Sequence, residues 1–132
     1  MPRHQRVLVA DGSKYFDTSI WHRLIPDTEF EIVGLAGSTD ETIEMAITQT
    51  PDIVLIDLSH SQICGLQTVT ALHAVHPNLP IITFMPISSH EYTRASLDAG
   101  ATACLPKDEM ADVLLQTLRY LTSTPLSAMP VS

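Results

Sequence analysis

The chain has 132 residues, 45% of them apolar and 17% charged, ordinary usage for one domain that buries a core without metal or disulfide staples. Seven basic against fifteen acidic side chains give 7 − 15 = −8, a sign that argues against direct nucleic-acid binding and against docking on anionic lipid. Cys64 and Cys104 match no zinc or CxxC spacing, no apolar run reaches spanning length, and MPRHQRVLVADG lacks a signal-peptide core, so the expectation is a cytoplasmic protein with reduced thiols.

The first apolar run is VLVA (7–10), closed by Asp11 and Gly12. Ser13 is a candidate N-cap for a helix whose stripe is Phe16, Ile20 and Leu24, with Trp21 following as packing. FEIVGLA (30–36) is the second run, and Ser38-Thr39-Asp40-Glu41 then forms a capping box before Ile43, Ala46 and Ile47. DIVLID (52–57) is the third run. Leu66, Val69, Leu72 and Val75 make the next helical stripe, stopped by Pro77-Asn78. PIITFM (80–85) precedes a helix around 89–98 with Tyr92, Ala95, Ser96 and Ala99 as its buried face and Gly100 as its stop. TACL (102–105) is the fifth run. The last helix starts at Asp108 and carries Met110, Val113, Leu114, Leu118 and Leu121. Residues 1–122 are read as the domain, and 123–132, rich in Ser, Thr and Pro, as a flexible tail or linker stub.

Five βα units predict an α/β domain, doubly wound, with a parallel five-stranded sheet and helices on both faces. VLVA, IVLI and IITF are apolar at consecutive positions, as strands covered on both sides require. In such folds ligands sit outside the carboxyl ends of the strands. Those ends carry Asp11, Asp57 and Lys107. Lys14 and Lys107 are the chain's only lysines, so the position of Lys107 beside two acids is informative. An ordinary strand-end salt bridge is the bland reading.

The segments VLVADGS, PDIVLIDLSHSQICGL, HPNLPIITFMP and LDAGATACLPKDE resemble the receiver domain of two-component response regulators, over residues 6 to 121. HPNLP, LDAGA and LPKD are most similar to receivers that precede a helix-turn-helix DNA-binding domain. The resemblance implies a CheY-like, flavodoxin-like fold of strand order 2-1-3-4-5. It implies that Asp57 is the phosphoacceptor and that Lys107 binds the phosphoryl oxygens. Asp11, Asp57 and the backbone carbonyl of Ser59 would ligate Mg²⁺. The implied chemistry is in-line attack of the Asp57 carboxylate on a phosphohistidine of a histidine kinase, with Mg²⁺ and Lys107 spreading the developing charge.

Four positions depart from that pattern. Gly12 replaces an acid that would ligate the metal directly, and Mg²⁺ needs oxygen ligands in a near-octahedral array. Met85 stands where a Ser or Thr hydroxyl would meet the phosphoryl group. Pro86 stands where a backbone N–H would donate. Cys104 replaces the aromatic switch residue. The expectation is a receiver with impaired Asp57 phosphorylation and weak or absent Mg²⁺. It would act without catalysis of its own, by protein–protein interaction with a histidine kinase or another signalling protein. Lys107 would pair with Asp57 constitutively, and the face of the helix at 89–98, the fifth strand and the last helix would present one fixed surface. The alternative is a fully phosphorylatable receiver controlling an output domain such as a helix-turn-helix module. A homodimer is left open.

The other constellations are weaker. Asp57, Ser59 and His60 have the residue types of a hydrolytic triad but no GxSxG elbow. His73 and His76 sit three apart on a helix without a supporting third ligand. Cys64 and Cys104 have no redox spacing, and GLAGS (34–38) is not a dinucleotide fingerprint.

Overall fold

A computed structural model of the protein describes residues 5–10, 30–58, 65–85 and 89–106, together with Gln116 and Tyr120. The elements are β1 (Gln5–Ala10), β2 (Phe30–Ala36), α1 (Thr39–Thr48), β3 (Ile53–Asp57), α2 (Gly65–Val75), β4 (Ile81–Met85), α3 (His90–Ala99) and β5 (Ala103–Pro106). All five strands run parallel in one sheet of order β2-β1-β3-β4-β5, the predicted doubly wound order. The helix expected after Ser13 lies outside the described residues, as does the tail at 123–132. Of the last expected helix, Gln116 and Tyr120 are described, and both are helical.

Every residue of β3 and of β4 is buried, which is why their apolar residues run without alternation. Side chains nevertheless part to two faces with period two. Val7, Val9, Phe30, Ile53, Leu55, Ile82 and Phe84 form one core cluster. Leu8, Ala10, Val54, Ile56 and Ile81 face the other way, where Ala46, Val69 and Leu72 of the helices cover them. At about 25 cal/mol per Å² of apolar area, this double burial is the main stabilising term. The β1–β2 register slips between Val7 and Leu8, with Val7 opposite Ile32 and Leu8 opposite Gly34. Val33 is therefore an extra residue, a bulge in the outermost strand.

The capping box forms with a shift. Ser38 caps α1 and accepts from the Glu41 N–H at 3.1 Å, but the Glu41 carboxylate reaches Gly37 N–H at 2.6 Å, one residue before the cap. Arg6 closes the other end of α1, donating to the Gln49 carbonyl from Nε at 3.2 Å and Nη2 at 2.7 Å. Ser89 caps α3, accepting from Tyr92 N–H at 3.3 Å. Gly100 ends it with φ 119, a left-handed turn that glycine takes without steric cost.

Three parts of the expected helix faces are corrected. Ile47 is 54% exposed, and Leu66 and Val75 also reach solvent; all three sit at or next to helix ends. Threonines fill the inner positions instead: Thr42 and Thr68 are fully buried. Tyr92, expected inside α3, is 38% exposed, while Ser96 is the buried residue of that helix.

Candidate functional site

The carboxyl ends of the strands converge through pairing register. Asp57, the last residue of β3, pairs with Phe84, and Leu58 N–H continues the ladder to the Phe84 carbonyl at 2.8 Å. Ala10 closes β1 beside Ile56, so the chain leaves β1 next to Asp57. Met85 closes β4 opposite Pro106, the last residue of β5. One edge therefore gathers the exits of β1, β3, β4 and β5. Asp11, Gly12, Ser59, Pro86 and Lys107 each follow directly or within two residues of a described strand end, and all five lie outside the described residues.

Asp57 is fully buried. A carboxylate at that depth is costly unless charge or hydrogen bonds compensate it. A group maintained there at the functional edge of an α/β sheet is a candidate for chemistry rather than for packing. The first residue of α2 lies close against the end of β3. A Cβ on Gly65, the first residue of α2, would lie 2.5 Å from Leu58 Cδ2 and 3.3 Å from Leu58 Cα. Gly65 lets α2 start directly against the strand end, a role the sequence reading did not assign.

Met85 is 3% exposed. The Thr93 hydroxyl of α3 donates toward its sulfur at 3.7 Å and toward the Ser89 carbonyl at 2.9 Å. Thr93 was not singled out in the sequence; its signal was its place four residues after a helix cap, where a hydroxyl can bond back to a carbonyl. Cys104 lies opposite Thr83 and is a half-buried free thiol. Thr83 is buried, with its hydroxyl donating to the Ala103 carbonyl at 3.4 Å. The edge around β4 and β5 is thus lined by a thioether and a thiol, neither of them a strong hydrogen-bond donor.

Mg²⁺ takes hard oxygen ligands, with carboxylates supplying the charge. Among the described residues Asp57 fits in kind, and it is the one carboxylate on this edge, since the Met85 side chain brings no oxygen. No group of three or more His, Cys, Asp or Glu is placed to hold a metal among the described residues. The His73 ring lies instead against Gly100. No helix among the described residues is long and apolar enough to cross a membrane.

Known proteins share this fold. The model of the response regulator receiver domain matches residues 7–119. A protein-glutamate methylesterase/protein-glutamine glutaminase of Idiomarina loihiensis is 31% identical over 105 residues, covering 77% of this chain and 27% of that protein. A nitrate/nitrite response regulator protein homolog of Haemophilus influenzae is 31% identical over 118 residues, covering 88% of this chain and 56% of that protein. The chain therefore spans only about a quarter to a half of the length of these relatives. The crystal structure of the response regulator domain of Thermotoga maritima CheB superposes with a TM-score of 0.82, covering 93% of this chain and 99% of that one, at 22% identity; that likeness concerns the fold. The strand order, the buried aspartate at the end of β3 and the match over residues 7–119 agree, and the chain belongs to the response regulator receiver domain family.

Proposed function

We propose that this receiver domain works in two-component signalling as a protein-interaction module whose Asp57 phosphorylation is impaired. The observation that carries the reading is Met85. At the end of β4, where the resemblance implies a hydroxyl beside the phosphoryl group, stands a thioether, 3% exposed and engaged by Thr93. It offers no proton to a phosphoryl oxygen. Removal of one preorganised donor from a transition state costs about 3 kcal/mol in other enzymes, roughly two orders of magnitude in rate. Pro86, with no N–H, removes a second donor.

Asp57, Asp11 and the Ser59 carbonyl would hold Mg²⁺ weakly, because Gly12 supplies no carboxylate; when bound, the ion would offset charge on a phosphoryl oxygen. Lys107 would neutralise Asp57 in the resting domain. The partner is a histidine kinase or another signalling protein of the cytoplasm, recognised through the α3–β5 face. The domain has no catalytic activity of its own in this reading. The methylesterase activity belongs to the named relatives, of which the chain covers about a quarter.

The test is intact mass after incubation with acetyl phosphate and Mg²⁺, beside an Asp57→Asn control. No phosphoryl gain under conditions that label an ordinary receiver is the expected result. A gain that the control lacks would overturn the impairment. It would support a phosphoacceptor that takes its phosphoryl group from a histidine kinase to control an output domain, such as a helix-turn-helix module.

A further inference from the structure

Thr93 stands where α3 meets the end of β4. Its hydroxyl is 2.9 Å from the Ser89 carbonyl and 3.7 Å from the Met85 sulfur. A hydroxyl has one proton to donate, and the Ser89 carbonyl is the nearer acceptor, with the Met85 sulfur in contact beside it. Ser89 is also the helix cap: its carbonyl accepts from Thr93 N–H at 3.1 Å and its hydroxyl from Tyr92 N–H. The buried thioether of β4 therefore touches the residue that closes the first turn of α3. Sulfur is a weak acceptor, and the unbranched, polarizable side chain holds mainly by packing, with the hydroxyl contact giving it direction. The far end of α3 is fixed separately, by the Gly100 cap lying against His73 of α2.

The geometry points to a clamp: Met85 fixes the first turn of α3 on the end of β4, so that the outward residues Tyr92 and Leu97 keep one position whatever the state of Asp57. This rests on the reading that Asp57 does not drive a switch at this edge. Both halves of the clamp are protein groups, so no ligand is needed to set it. Tyr92 and Leu97 are exposed on the helix that it holds.

Hydrogen exchange read by mass spectrometry on the full chain, without phosphoryl donor, tests it. Met85→Ala should speed exchange at the Tyr92 and Thr93 amides about tenfold relative to β1 and β3, because local opening enters exchange rates exponentially. Met85→Leu keeps the bulk and drops the sulfur; Thr93→Val keeps the shape and drops the hydroxyl. Each should speed the same amides by less, and the double variant no more than the larger single, since both cut one contact. Asp57→Asn should leave them unchanged. Acceleration spread evenly over β1, β3 and α3 in Met85→Ala overturns the clamp, as does a response of these amides to Asp57→Asn. If Met85→Ala does not fold, the other two variants decide, and unaltered exchange in both overturns it. The readout is separate from labelling by acetyl phosphate, so phosphoryl gain and failure of the clamp are distinguishable results.

Discussion

The hydroxyls of Thr39 and Thr68 meet at 2.7 Å, joining the start of α1 to the first turn of α2. The pair bridges two helices on the same face of the sheet, near the edge where Asp57 ends β3. Thr39→Val keeps the shape and removes one partner. A net loss of about 1 kcal/mol is expected, the usual worth of one neutral hydrogen bond, read as a lower urea midpoint at unchanged slope.

Gly100→Ala meets two penalties at once. The residue sits at φ 119, and an added Cβ would lie 2.5 Å from His73 Cγ. Backbone strain of this kind costs about 1–3 kcal/mol, and the His73 ring must also give way. His73→Ala in the same chain should recover only the steric part. Equal stability of Gly100→Ala and the native protein in thermal unfolding would contradict this account.

Thr50 holds φ 46 directly before Pro51. A β-branched residue is poorly suited to the left-handed region. Thr50→Gly or Thr50→Asn should therefore stabilise the protein by about 1 kcal/mol despite the added chain entropy of glycine. Asn is the cleaner comparison, because it tolerates this conformation without that entropy.

Ser96 is fully buried, and its hydroxyl has no hydrogen-bond partner among the described residues. Burying such a group costs about 1–3 kcal/mol. Ser96→Ala removes that cost and adds helix propensity, so a gain of about 1–2 kcal/mol is expected. A loss in chemical denaturation would mean that the hydroxyl is satisfied in solution.

The strands were legible because β3 is apolar up to Asp57 and β4 is broken only by Thr83, a pattern that few other environments allow. The helix cap at Ser38 and the stop at Gly100 were equally plain, since each depends on local backbone chemistry, whereas the cap at Ser89 was not singled out. The inner helix faces were not. Thr42 is buried because its hydroxyl returns to the Ser38 carbonyl at 2.7 Å, a local bond that makes a polar residue fit a core. Hydropathy therefore passes over it and selects Ile47, which is exposed. At the site, Asp57 stood out as an acid closing an apolar strand. The contact between Met85 and Thr93 joins the end of β4 to α3, and periodicity carries no trace of it.

The bulge at Val33 has a bearing on solubility. β2 is an outer strand of the sheet, and the backbone groups on the free side of such a strand invite pairing with a second chain. One extra residue breaks the even spacing of those groups and increases the local twist, so a flat foreign strand finds no continuous register there. At the opposite margin β5 is only four residues long and ends in Pro106, which has no N–H to offer. Both margins of an otherwise strongly apolar sheet are thus poor templates for aggregation.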